Sequence, residues 1–191
     1  MSDHLSPDIL LDAYREGWFP MAEHGRILWF LPDPRAIIPL DGFHVSRSLQ
    51  RTERRGLFDV RFNTDFPGVM RACADRNEGT WISDEFHTAY EALHQRGFAH
   101  TAECWRNRRL VGGVYGVSIG GVFMAESMFH RETDAGKVAL HALVNRLRER
   151  RFALLEVQYL TPNLGRLGAI EIPGRRYLKI LARERDRVVT F

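Results

Sequence analysis

Gly112-Gly113-Val114-Tyr115-Gly116-Val117-Ser118-Ile119-Gly120-Gly121-Val122-Phe123-Met124-Ala125-Glu126-Ser127-Met128-Phe129 holds two apolar runs that meet at a Gly-Gly pair. Such a pair accepts the positive φ of a tight turn, so the stretch predicts two antiparallel strands. Side chains alternate along a strand. Met124, Glu126 and Met128 are therefore expected on one face, and Ala125, Ser127 and Phe129 on the other. Glu126 then stands between two thioethers. Either it faces water near a strand end, or it is buried with a partner or a proton, because a lone buried carboxylate is costly.

On the N-terminal side of this hairpin, Ser83 is expected to cap a helix over 84–96 in which Phe86, Ala89, Tyr90 and Leu93 recur at helical spacing and Gly97 marks the end. A strand over 99–105 turns at Arg106-Asn107-Arg108 into the hairpin strands, 110–119 and 122–129. After them, Leu140, Leu143, Val144 and Leu147 form the buried stripe of a helix over 135–151. A strand over 153–159, a turn or short helix over 161–167, a helix over 173–185 and a short strand over 188–191 complete the chain. On the N-terminal side, Ser6-Pro7 opens a helix over 8–16 that Gly17 closes. Extended runs over 26–31 and 36–40 flank Pro32-Asp33-Pro34-Arg35. A helix over 44–56, a strand over 57–62 and a helix from 63 to 73 follow, then a polar loop over 76–79. The expected division is a small α/β lobe over 1–62 and a main domain over 63–191. Three meander strands, a helix, a strand and a helix make the main domain α+β with a mostly antiparallel sheet flanked by helices. That order is similar to the acetyltransferase-like superfamily of acyltransferases.

Bulk properties narrow the function classes. A chain of 191 residues with 45% hydrophobic residues can bury one full core, which argues against disorder and against two large domains. Only Lys137 and Lys179 among its 27 basic residues are lysine. Arginine suits phosphate forks and stacking, although such an excess also follows from a GC-rich genome. Arg47, Arg51, Arg54 and Arg55 recur at three- and four-residue intervals, so they line one face of their helix. Cys73 and Cys104 are far apart with no C-x-x-C pattern, which predicts free thiols, no zinc site and no disulfide framework. No apolar run reaches membrane-spanning length and the N-terminus has no apolar signal core, which predicts a cytoplasmic protein.

Several of these segments together resemble a known family. In order along nearly the whole chain stand Leu10-Leu11-x-Ala13-Tyr14-x-x-Gly17-x-Phe19-Pro20, Trp29-x-x-Pro32-Asp33-Pro34-Arg35, His44-Val45-Ser46-Arg47-Ser48 and Glu78-Gly79-Thr80-Trp81-Ile82. Leu110-Val111-Gly112-Gly113-x-Tyr115-Gly116-Val117, Glu126-Ser127-Met128-Phe129 and Leu167-Gly168-Ala169-x-Glu171-Ile172-Pro173 follow. The set resembles the leucyl/phenylalanyl-tRNA protein transferases. The resemblance implies a small N-terminal lobe joined to an acetyltransferase-like domain. It also implies transfer of leucine or phenylalanine from aminoacyl-tRNA to the α-amine of a protein beginning with Arg or Lys, a mark for degradation by the N-end rule. Trp81 is then expected to stack on the 3′-terminal adenosine, and Arg47, Arg51, Arg54 and Arg55 to hold the acceptor stem, with Lys137 near the RNA end. Both modes are sequence-independent, as an enzyme using several tRNAs requires.

The chemistry so implied is aminolysis of an ester that is already activated, with no cofactor and no metal, by a monomer. An α-amine has a pKa of roughly 7.7–8.0, so a usable neutral fraction exists near neutrality. Glu156 and Gln158 are expected on one face of their strand beside Glu126. The family mechanism has such a glutamine assist loss of the amine proton, but a neutral amide oxygen is far too weak a base. Gln158 is therefore expected to accept a hydrogen bond from the amine, Glu156 to fix the amide, and Glu126 to orient the substrate's amino group or ester end. Val114, Tyr115, Met124 and Met128, with Phe123, are the expected wall for the leucyl or phenylalanyl side chain, since methionine adapts to both shapes. The chain departs from the family pattern at four positions. Met21 replaces an aromatic that would stack on the adenine, leaving Trp18 or Trp29 as substitutes; Glu156 replaces Asp; and Asn163 and Arg166 replace His and Ser. A longer N-terminal segment with Gly-Gly-Asp-Leu is also absent. Two other readings stay open, an aminoacyl-tRNA binder without transfer or with another acceptor, and an acyl-CoA N-acetyltransferase.

Overall fold

The computed structural model describes residues 5–76 and 79–191; Asn77 and Glu78 of the polar loop, and with them the start of the segment Glu78-Gly79-Thr80-Trp81-Ile82, lie outside. The Gly120-Gly121 turn joins β6 (Arg109–Ile119) to β7 (Val122–His130), and β5 (Ala99–Arg106) pairs with β6 on its other side. Gly120 has φ +54, and a Cβ there would stand 2.1 Å from the Glu184 carbonyl, so the turn needs glycine for both conformation and space.

Three further strands extend the sheet on the β7 side of the meander. β8 (Leu154–Glu156) lies parallel to β7, β3 (Arg35–Ile38) lies antiparallel to β8, and β9 (Ile170–Ile172) is at the edge beside β3. With β4 (Asp59–Phe62) on the far side of β5, the order is β4-β5-β6-β7-β8-β3-β9, antiparallel everywhere except at β7–β8. The mostly antiparallel α+β architecture is therefore as the sequence predicts. β3 and β4, expected in the lobe over 1–62, are strands of this sheet. Outside it stand α1 (Pro7–Arg15) and a two-stranded hairpin, β1 (Phe19–Glu23) with β2 (Arg26–Phe30).

Two apolar layers hold the sheet. On one face α1, α3 (Phe66–Ala74) and α4 (Asp84–Gln95) bury Leu10, Tyr14, Phe66, Phe86 and Tyr90 against Tyr115, Met124 and Phe129. On the other, α5 (Ala135–Glu149) buries Leu140, Leu143 and Leu147 against Val114, Phe123 and Leu155. Each such side chain contributes about 1.5–3 kcal/mol on full burial. Ser6, Asp65 and, for α2 (Arg47–Arg54), Ser46 accept a backbone N–H of the first turn, whereas Ser83, the cap expected for α4, makes no such bond and α2 starts at Arg47 rather than at 44. A short α6 (Pro162–Arg166) and the final α7 (Gly174–Glu184) close the chain. Residues 188–191 do not form the expected strand. Phe191 instead turns into the core, stacked on His100 and Phe123.

Candidate functional site

The parallel β7–β8 ladder runs only from Val122↔Leu154 to Met124↔Glu156. Beyond that point the two strands part, and a cavity of about 590 Å³ opens between Ala125–Met128 and the segment from Val157 to Leu164. The opening coincides with an irregularity in the β6–β7 ladder. Tyr115 faces Ser127 and Gly116 faces Ala125, so Glu126 is an extra residue with no partner across the ladder, a β-bulge. A Cβ on Gly116 would stand 2.1 Å from the Met124 carbonyl, which fixes glycine at this spot. The bulge resets the alternation. Met124 and Phe129 lie in the layer with Tyr90, whereas Ala125 and Met128 face the α5 layer. Met124 and Met128 thus point to opposite faces, against the expectation of one shared face.

Glu126 reaches the cavity half-buried, beside Gln158. Its Oε1 accepts Gln158 Nε2 at 3.3 Å, and its Oε2 accepts the Tyr90 hydroxyl at 3.4 Å. Tyr90 is in turn bonded to the Tyr14 hydroxyl. Since Tyr90 gives its proton to Glu126, Tyr14 is the donor of that second bond. Loss of water pushes the Glu126 carboxyl up to about 8, with the nearby Glu156 adding to the rise and the Tyr14 and Tyr90 hydroxyls opposing it. A carboxyl tuned to this range is suited to work beside an α-amine.

Gln158 is not on the strand. β8 ends at Glu156, and Gln158 sits two residues on with φ +56, in the left-handed region. Glu156 therefore meets the Gln158 backbone, accepting its N–H at 2.6 Å on Oε1, while the side-chain amide is held by Glu126. The other partner of Glu156 is Arg35, whose Nη1 donates to the same oxygen at 3.0 Å; both side chains are 1% exposed. Arg35 also donates to the Gly17 carbonyl and lies 4.4 Å over the Tyr177 ring. Burial pushes Glu156 above the usual carboxylate range, and Arg35 and the Gln158 amide pull against that rise.

Of the expected substrate wall, Val114, Met128 and Trp81 line the cavity; Met124 and Tyr115 do not, nor does Phe123. Tyr115 is fully buried and packs edge-on against Tyr90, so it supports the residue that supports Glu126. Trp81 rests edge-on against Phe86. Met21 is in the wall, whereas neither Trp18 nor Trp29 is; Tyr159, which sequence reasoning passed over, is there with Asn163, and Arg166 reaches Asn163 from outside. Arg47, Arg51, Arg54 and Arg55 are exposed, and α2 is anchored by Thr52 donating to Asp134 and by Glu53 meeting His141. Exposed Lys137, in the first turn of α5, is paired with Asp134 at 2.8 Å. Sequence reasoning also missed Arg35, Tyr14, Tyr90 and Arg76. The signal for Arg35 was present: one cation heading a run of buried apolar residues must have a buried partner. Among the described residues no three His, Cys, Asp or Glu side chains group as a metal would require, and no helix is long and apolar enough to cross a membrane.

Comparison with known proteins matches residues 37–182 to the family model for leucyl/phenylalanyl-tRNA protein transferase and residues 3–33 to the model for its N-terminal domain. A leucyl/phenylalanyl-tRNA protein transferase of Herpetosiphon aurantiacus is 51% identical over 192 residues, covering 100% of both chains. One of Akkermansia muciniphila is 48% identical over 188 residues, covering 96% of this chain and 97% of its own. Among solved structures, L-PGS from Bacillus licheniformis is 12% identical over 78% of this chain and 51% of its own, at a TM-score of 0.45. A ribosomal-protein-alanine N-acetyltransferase from Brucella melitensis is 15% identical over 70% of this chain and 99% of its own, at a TM-score of 0.41.

Proposed function

The chain belongs to the leucyl/phenylalanyl-tRNA protein transferase family, a family of aminoacyltransferases, and we propose that it moves leucine or phenylalanine from aminoacyl-tRNA to the α-amine of proteins beginning with Arg or Lys. The observation that carries this reading is the Glu126–Gln158 pair beside an apolar wall in one cavity. Val114, Met128, Leu140 and Leu164 offer the wall for the aminoacyl side chain. Gln158 gives its NH₂ to Glu126, so its Oε1 is left to accept a hydrogen bond from the attacking amine and aim it at the ester carbonyl. The amine nitrogen bonds to the carbonyl carbon, the bond to the ribose oxygen breaks, the amine gives up one proton and the ribose oxygen gains one. Glu126 orients Gln158 and takes up or returns a proton in the range where the amine itself titrates. Glu156 and Arg35 act at one remove, fixing the backbone turn that carries Gln158.

Trp81 offers the stacking surface for the 3′-terminal adenine, with Tyr159 in the same wall as a second aromatic. The exposed arginine face of α2 tracks the acceptor stem, and Lys137 extends it at the start of α5. The protein acts in the cytoplasm, as a monomer. The test is transfer of labelled leucine and phenylalanine from charged tRNA onto matched peptides beginning with Arg, Lys, Asp, Glu and Ala. Transfer to the Arg and Lys peptides is expected. Charged tRNA that binds without transfer to any peptide would overturn the catalytic reading and leave only the binding one.

A further inference from the structure

Among the described residues that line the cavity, Arg76 is the one cation and Glu126 the one carboxyl. The two are not partners. Arg76 Nε donates to the Cys73 carbonyl at 3.0 Å and Nη2 donates to Ser127 Oγ at 2.7 Å, so both described bonds go to neutral acceptors. The Cys73 thiol beside it stays neutral, since burial pushes it to about 12. The guanidinium is thus held by two bonds with no carboxylate against it among the described residues, and the side chain lines the cavity. A fixed guanidinium fork is shaped for two oxygens of one anionic group, and phosphate fits it.

Position narrows the choice of anion. Arg76 is exposed, whereas Gln158 and Glu126, which the proposed function sets against the reacting atoms, are both half-buried. Trp81, five residues on, shares the wall. Resting on the reading of this cavity as the seat of the aminoacyl-tRNA 3′ end, we infer that Arg76 binds the phosphodiester on the 5′ side of the terminal adenosine. Ser127 and the carbonyl at the end of α3 hold its guanidinium for that contact. The cavity then takes the terminal nucleotide by two different handles, a ring against the base and a cation on the phosphate. Neither depends on the tRNA's sequence.

The test compares a donor that carries that phosphate, phenylalanyl-tRNA, with one that lacks it and the rest of the tRNA, 3′-phenylalanyl-adenosine, using the full chain and an Arg-initiated peptide as acceptor. Arg76→Met is expected to raise KM for phenylalanyl-tRNA about tenfold or more, as loss of a charged hydrogen bond does, with kcat little changed. The slope of log affinity against log salt should flatten by about 0.7, the share of one single-strand phosphate. The loss on phenylalanyl-adenosine should be at least tenfold smaller, and Arg76→Lys should recover part of the tRNA affinity. Equal losses on both donors overturn the proposal: a fall in kcat on both assigns the charge to the ester oxyanion, and a matching fall in Tm assigns it to structure. Wild-type protein that transfers from neither donor overturns the functional reading, and this phosphate site with it.

Discussion

Glu126 carries a proton at a pH where an ordinary carboxyl has lost it, and that has a measurable sign. Its folded value, about 8, lies above the ordinary 4.5. Between those values the unfolded chain binds fewer protons than the folded one, so this group's stabilisation is complete at the acid end and lost as pH rises through 8. Glu126→Gln has no proton to lose. Its Tm relative to wild type should climb from about pH 5 to about pH 9; a constant difference across that window would show that Glu126 titrates normally. Gln158 poses the complementary question, because a side chain in the left-handed region costs about 1–2 kcal/mol. Gln158→Gly should unfold at higher denaturant than wild type while transfer falls about a hundredfold as the amine is no longer aimed. Wild-type transfer by this variant would remove Gln158 from the mechanism. Both residues are readable in the sequence as chemistry, one carboxyl and one amide in strand-like runs. Their wiring is not. A bulge at Glu126 and a positive φ at Gln158 leave no local signature when neither position is glycine, so strict alternation misassigns Met124 and mispairs the glutamine amide with Glu156.

Elements were legible in proportion to how locally they are specified. α1, α2 and α3 announce themselves through polar caps and α4 through its apolar spacing, since Ser83 makes no cap bond; these are properties of neighbouring residues. β9 has three residues, and it exists because Arg35, Ala36 and Ile37 lie alongside, far away in sequence. The same logic reversed explains 188–191: Val188 has strand propensity but no ladder to join and is 98% exposed. α2 offers the element-scale experiment. Its arginines are exposed and Arg54 bonds only Gln50 among the described residues, so Arg51→Gln with Arg54→Gln should leave folding intact. Binding of charged tRNA should weaken uniformly across tRNA species, with the salt slope reduced by about 0.9 for each duplex phosphate that is no longer neutralised. An unchanged slope would place the acceptor stem elsewhere. Ser46→Ala, by contrast, removes the cap and should cost about 1 kcal/mol of stability without touching that slope.

At the scale of the molecule, the sheet has two unequal leaves. One holds β4, β5, β6 and β7, the other β8, β3 and β9, and the ladder between them is the three pairs from Val122↔Leu154 to Met124↔Glu156. The cavity begins where those pairs stop. The first leaf is plain in the sequence as a meander, but nothing local warns that β3, far earlier in the chain than its partner β8, belongs to the second. Amides of Leu155 and Glu156 should therefore exchange with deuterium faster than those in the middle of β6, and slower once charged tRNA is bound; exchange that ignores the ligand would show the leaves to be rigidly joined. The short parallel ladder thus forms the spine of a half-open book, and the proposed function lays the reactants between its pages. On that proposal a residue in the spine that touches no substrate still sets how far the pages stand apart, and with it which aminoacyl side chain fits the space between them.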